Sequence, residues 1–153
     1  MNRKYFDDWS VGEKFTTAGR TITETDVVMF AGMTGDYNEL HTNRDFMEKD
    51  KQFGQRIAHG LLGLAVSHGL LSRMGFLEKT PIAFLGIESW QFKAPIYLGD
   101  TIHADIEVVD KRASRSKNDR GVVKFLLKIV KQDQTVVQEG FKTIMFKRES
   151  PKA

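Results

Sequence analysis

Residues 35 to 41 read Gly-Asp-Tyr-Asn-Glu-Leu-His, which places a carboxylate, an amide and an imidazole in one short segment at Asp36, Asn38 and His41. Asp and His together can serve as general base and general acid, because their pKa values respond strongly to burial and to each other. Asn38 can hold a substrate oxygen or a water. The same residue types also suit a capped loop, since Gly-Asp and Asn are common after helices and Asp often bonds its own backbone. On these residues alone both readings stand.

A second segment, Ile57-Ala58-His59-Gly60-Leu61-Leu62, puts His59-Gly60 at the first turn of an apolar helix. Backbone N–H groups there lack intrahelical partners, the positive end of the helix dipole lies behind them, and a glycine lets a ligand approach. This suits a carbonyl whose oxygen gains charge during reaction. The plainer role for Gly60 is to relax a tight helix start. Asp36, His41 and His59 could also bind a divalent cation. No helical His-x-x-x-His and no third acidic ligand supports that, so no metal and no cofactor are expected. There is no Gly-x-x-x-x-Gly-Lys phosphate loop and no Gly-x-Ser-x-Gly elbow. His103 reads as a surface residue on a strand, and His68 as a core histidine or part of a pocket wall.

The elements that must carry these residues change character along the chain. Residues 14 to 22 suit an opening strand. Thr23 to Asp26 resembles a capping box with Asp in place of Glu, so a short helix follows and Gly35 ends it. Asn43 starts another short helix with Phe46 and Met47 on its apolar side, and Gly54 stops it. Residues 60 to 74 are apolar around most of a helical wheel, which predicts a buried helix, with Gly75 as its C-cap. Small residues along it, such as Gly63, Ala65, Ser67 and Gly69, admit another backbone closely. After Pro81 the sequence reads as strands at 82–93, 101–108, 122–131 and 135–147, the last two joined by a short turn. The sum is an α+β architecture, an antiparallel sheet with one long buried helix against it.

At 153 residues the chain is expected to be a single domain over 1–153. Without cysteine it has no disulfide, thiolate nucleophile or cysteine metal site. The start has no apolar stretch of signal-peptide type, and the longest apolar run is too short to span a bilayer. A cytoplasmic protein without membrane contact is expected. A net charge of +3 is mild, and no basic stripe with interleaved aromatics appears, so no nucleic-acid partner is expected. The basic run at 111–120 reads as a solvated hairpin turn, or else as a contact for an anionic ligand such as a nucleotide-like carrier.

Taken together, Phe30 to Phe46, the His59-Gly60 pair and the stretch Gln91 to Ile102 resemble the MaoC-like (R)-specific enoyl-CoA hydratases over about residues 10 to 147. The family signature is Gly-Asp-x-Asn-Pro-aliphatic-His with a downstream His-Gly. The resemblance implies a hot-dog fold, in which a curved antiparallel sheet wraps a long central helix, and a homodimer or higher assembly with interfacial pockets. It implies a hydratase or dehydratase of a 2-enoyl thioester that gives the (R)-3-hydroxyacyl-CoA, with acyl carrier protein as the other carrier. Asp36 and His41 would be the catalytic pair, with Asn38, His59 and Gly60 contacting substrate. Glu39 departs from the family's proline. Two other readings share the scaffold: an acyl-CoA thioesterase and a non-catalytic acyl-binding subunit.

Overall fold

The computed structural model describes residues 3–149; the outermost residues of the domain expected over 1–153 lie outside them. A single 3-10 turn at Phe6–Asp8 leads into β1 (Lys14–Thr16) and β2 (Arg20–Thr21). Three helices follow, α1 (Glu24–Thr34), α2 (Glu39–Thr42) and α3 (Arg44–Glu48). Then come the central helix α4 (Gly60–Ser72) and four long strands, β3 (Pro81–Phe92), β4 (Thr101–Ala113), β5 (Arg120–Lys131) and β6 (Val136–Lys147). The sheet is antiparallel with order β1-β4-β5-β6-β3, and β2 also pairs with β4. One face of this sheet curls around α4, as the sequence predicts.

The alternation in β4 does what the sequence requires of it. Ile102, Ala104, Ile106 and Val108 are each at most 3% exposed and form the floor beneath α4. The expected opening strand is instead two short ones. Between them Thr17 takes over the ladder: its N–H donates to the Ala104 carbonyl at 3.0 Å, and its hydroxyl accepts from the Ala104 N–H at 2.9 Å. A side chain thus supplies a bond that a regular strand would take from its backbone. At the far end of the sheet Trp9 packs edge-on against Phe76 and Phe125, with ring centroids at 5.1 and 5.0 Å. These rings close the core.

Two expectations about α4 need correction. It ends at Ser72 with Arg73 as its C-cap, so Gly75 lies beyond the cap. It is also not covered all round. Leu62, Gly63, Val66, Ser67, Leu70 and Leu71 are buried, but Leu61, Ala65, His68 and Gly69 are exposed. His68 is therefore no core residue; it lies on the open face of the helix, its ring 5.5 Å from that of Phe84 on β3. β3 is the edge strand, and it exposes Phe84, Leu85 and Ile87.

The turn before β4 is locked by a buried ion pair. Asp100 receives the Tyr97 N–H and the Gln132 amide, each at 2.8 Å, and Lys131 Nζ at 3.0 Å. Both charged side chains are 10% exposed. Burial acts to raise the Asp100 pKa, but the bonds from Gln132, Tyr97 and Lys131 outweigh it and hold the carboxyl below its ordinary value. A depressed carboxyl pKa stabilises the fold above the ordinary value and loses that contribution as pH falls through the folded one. Asp100→Ala, which strands a buried lysine, is expected to cost about 3–5 kcal/mol in chemical denaturation at neutral pH. The gap from the parent should narrow in acid.

Candidate active site

Local capping builds the loop that carries Asp36. Thr23 and Asp26 form the reciprocal capping box that starts α1: the Asp26 N–H bonds the Thr23 hydroxyl, and the Thr23 N–H bonds the Asp26 carboxylate at 2.8 Å. Gly35 ends the helix in the left-handed region at φ 78°, its N–H donating to the Ala31 carbonyl at 2.8 Å. The chain then turns, with the Asn38 N–H donating to Asp36 Oδ1 at 3.3 Å. This is the self-bonded Asp of an ordinary loop. It leaves Asp36 exposed, with one carboxylate oxygen free of bonds to the described residues.

The segment read as loop continues into α2, a single turn. Asn38 is its N-cap and accepts the Leu40 N–H on Oδ1 at 3.0 Å. Its Oδ1 is thus committed as a cap, while its Nδ2 donors make no bond to the described residues. The same turn carries His41 inward, where it is 9% exposed. His41 Nδ1 lies 2.7 Å from the Ile57 carbonyl, which can only accept, so Nδ1 bears the proton and Nε2 keeps a free lone pair. Burial lowers the His41 pKa most; the Ile57 bond and Asp36 raise it and His59 lowers it further, for a net depression. The imidazole is neutral near pH 7.

Strand-like clamps then fix the approach to α4. Ile57 N–H donates to the Leu40 carbonyl at 3.0 Å and Ala58 N–H to the Ile96 carbonyl at 2.7 Å. His59 is the N-cap of α4 but makes no side-chain cap. Its ring is 2% exposed, lies 3.8 Å from that of His41 at a tilt of 30° and packs against Phe30 at 4.9 Å. Its Nε2 lies 3.0 Å from the Asp36 carbonyl and so donates to it. The ring thus faces inward and props the Asp36 loop. The first turn of α4 begins at Gly60, where a Cβ would lie 2.8 Å from the Phe92 ring, so a larger residue would have to displace that ring.

Asp36, His41 and His59 each offer one polar atom, all within 4.8 Å of one another. Two hydrogen bonds of about 2.8 Å span up to about 5.6 Å, a reach that allows one water to bridge the Asp36 carboxylate and the His41 ring. A tetrahedral ion needs lone pairs that converge at about 2.0–2.1 Å. One nitrogen of each ring is already committed to a backbone carbonyl, His41 Nδ1 to that of Ile57 and His59 Nε2 to that of Asp36. A cavity of about 700 Å³ opens beside His41, with Gly60, Leu61, Phe92, Ile96 and Gln138 in its largely apolar wall. Asp36 stands next to His41 rather than in this lining. Gln138 and Phe92 escaped the sequence reading because β-strands far along the chain bring them here. The one available signal was the Gly60/Gly63 spacing, which marks a helix face open to close approach. The basic hairpin at 114–119 is elsewhere. Along β6 it lies beyond Lys147, nine residues from Gln138, about 30 Å at about 3.3 Å per residue. Its residues Arg115 to Asp119 are exposed, as a solvated turn requires.

Glu39, where the family has proline, is the first residue of α2, and Asn38 before it has φ −53° and ψ 139°. That is the extended conformation a following proline imposes, and the first helical position tolerates a missing N–H. Glu39→Pro is expected to fold, keep the site geometry and gain about 0.4–1 kcal/mol through a stiffer unfolded chain. Its thermal midpoint is the measurement.

Comparison with known proteins agrees with this fold. Residues 8–130 match the family model described as MaoC like domain. An (R)-specific enoyl-CoA hydratase from Rhodospirillum rubrum is 38% identical over 105 residues, 68% of this chain and 69% of that protein. A structure described as a monoamine oxidase regulatory protein from Archaeoglobus superposes with a TM-score of 0.89 at 33% identity and covers 98% of both chains. A Mycobacterium tuberculosis protein described as having a double hotdog fold superposes at 0.86 with 20% identity, over 99% of this chain and 46% of that one, a likeness of fold alone. With a helix wrapped by an antiparallel sheet and a family match over most of its length, this chain is a hot-dog protein of the MaoC-like hydratase and dehydratase family.

Proposed function

We propose that the chain adds water reversibly to a 2-enoyl-CoA thioester and gives the (R)-3-hydroxyacyl-CoA. The observation that carries this reading is the pairing of the Asp36 carboxylate with a neutral His41 whose free Nε2 borders the cavity, across from the first turn of α4. The thioester carbonyl would accept from the Gly60 N–H. A water held by Asp36 and His41 would attack C3. The new O–C3 bond forms as the π electrons shift toward the thioester oxygen, and the developing enolate is stabilised at the helix N-terminus. One proton leaves the water for the dyad, and one is returned to C2. His41 suits proton acceptance because the Ile57 carbonyl fixes its tautomer. His59 and Asn38 act by position: one props the Asp36 loop and the other caps the turn that carries His41. The hydroxyacyl configuration and the CoA carrier follow the family resemblance. Among the described residues no helix is long and apolar enough to cross a membrane.

A second copy of the chain is part of this reading. The open face of α4 and the edge strand β3 together expose Leu61, Phe84, Leu85 and Ile87. A twelve-residue edge strand with apolar side chains on show is a pairing surface. Light scattering at micromolar concentration is expected to give at least twice the 17.4 kDa chain mass. A monomer would remove the interfacial site.

The catalytic pair is tested by substitution. Asp36→Asn and His41→Gln are each expected to slow hydration of crotonyl-CoA by about two to four orders of magnitude, with the melting temperature near the parent's. The double variant should be little worse than either single, because residues acting as one unit are not additive. Protonated His41 cannot accept, and its pKa is depressed, so the acid limb of kcat/KM should lie below the ordinary histidine value of about 6.5. Undiminished hydration by folded Asp36→Asn would end the proposal. Release of free thiol in place of hydration would identify a thioesterase.

A further inference from the structure

A second buried polar group at the start of α4, besides His59, comes from far along the chain. Gln138, on β6, is 2% exposed and stands in the cavity wall. Its Nε2 donates to the Gly60 carbonyl at 2.9 Å, and its Oε1 accepts from the Trp90 indole N–H at 3.2 Å. The orientation of this amide is fixed chemically. An indole N–H can only donate and a carbonyl can only accept, so the oxygen must face Trp90 and the NH₂ must face Gly60. The helix is shaped to admit it. A Cβ at Gly63 would collide with Gln138 Nε2 and lie 2.7 Å from Ile96 Cδ1. Gly140, two residues along β6, likewise leaves room for Trp90: a Cβ there would lie 2.6 Å from the indole. Two glycines and an indole thus serve to hold one amide against one carbonyl.

That carbonyl has a particular place. The C=O of Gly60 and the N–H of Leu61 belong to the same peptide unit. The N–H groups of Gly60 and Leu61 are among the first-turn donors that α4 itself leaves unpaired. A donor bound to the Gly60 oxygen draws charge through the peptide and makes the Leu61 N–H more positive; it also fixes the tilt of the whole first turn. Gly60 and Leu61 both border the cavity.

We infer that Gln138 is a positioning residue for the oxyanion site: held by Trp90, it clamps and polarises the first peptide of α4 so that the N–H groups of that turn face the thioester oxygen. The inference rests on the function proposed above. Gln138 touches the helix and need not touch the reacting atoms, so its loss should appear in turnover more than in affinity.

Two variants test it with crotonyl-CoA. Gln138→Leu removes the donor and keeps an apolar side chain in the space. Its kcat is expected to fall roughly tenfold, less than the loss of a direct oxyanion donor, with KM within about twofold of the parent. Gln138→Glu preserves shape and carries its own control. While protonated, the introduced carboxyl can still donate to Gly60; once ionised it cannot, and it repels the carbonyl. The kcat of Gln138→Glu relative to the parent is therefore expected to decline as pH rises between about 5 and 8, as a single ionisation above the ordinary glutamate range, because a buried carboxyl facing a carbonyl is raised. Packing alone would not create that ionisation. In both variants carrying the additional Asp36→Asn change, which keeps the enoyl thioester intact, the infrared carbonyl stretch of bound ¹³C-labelled substrate should move back toward its value in solution. A flat Gln138→Glu ratio across this pH range, with an unchanged carbonyl frequency, would overturn the clamp. If Gln138→Leu does not fold, the pH profile of Gln138→Glu decides alone. A parent that does not hydrate the thioester at all would instead overturn the function, a different and separately visible result.

Discussion

Helix α4 has no Asp, Glu, Lys or Arg in its thirteen residues, so it persists in water only if much of it is covered. The rest of the chain answers that requirement. β4 gives it a floor of Ile102, Ala104, Ile106 and Val108, and β5 and β6 continue the wrap. Register shifts in β3, and at one point each in the β4–β5 and β5–β6 ladders, interrupt the regular pairing, as a sheet bent around a helix requires. The cover is not uniformly apolar. Lys142 is fully buried against the helix, with its ammonium 3.3 Å from the Ser67 hydroxyl, and burial lowers its pKa to about 8. A buried amine held by a hydroxyl rather than a carboxylate costs stability at neutral pH, where the proton must be carried at a disadvantage.

The N-terminal end of this helix presents N–H groups that the helix itself leaves unpaired. The loops that reach that end are joined to it by backbone bonds rather than by side chains alone. The Ile57 carbonyl sets the His41 tautomer, the Ile57 N–H bonds Leu40, and the Ala58 N–H bonds Ile96. His59 bonds the backbone of Asp36 while its ring lies on that of His41. The short stretch from Ile57 to Gly60 therefore orients His41, props the Asp36 loop and begins the helix dipole. A shift of that stretch would disturb all three together. This is the physical sense in which the two sequence segments form one site.

The same wrap leaves part of α4 uncovered. Leu61, Ala65, His68 and Gly69 face outward from α4, and β3 stands at the sheet edge with its backbone groups unpaired along one side among the described residues. The helix that demands cover is thus covered on one side by its own sheet, and its other side lies next to the strand best suited to meet another. The exposed small residues allow close approach of backbones, and the flanking Leu61 and Phe84 supply apolar area.

Local signals in the sequence specify much of this. The capping box at Thr23, the left-handed Gly35, the apolar run of α4 and the alternation in β4 are each decided by neighbours within a few residues, so each is legible from the residues themselves. Asp36 and His41 are legible for the same reason, since one loop carries both. Other features are settled only by tertiary contact. The residues of α4 make it apolar but do not say which of its faces the sheet leaves open, because that depends on how far the sheet reaches. His59 adjoins Gly60 in the sequence, yet nothing local turns its ring inward to Asp36. Asn38 caps α2 because the backbone after it turns helical. Gln138 lies 78 positions from Gly60, and only the pairing of β6 with its neighbours brings its amide to that carbonyl. Local periodicity determines elements and caps because its energies act within a turn; the direction of a buried polar side chain is decided by whichever distant partner the finished fold places within hydrogen-bond reach.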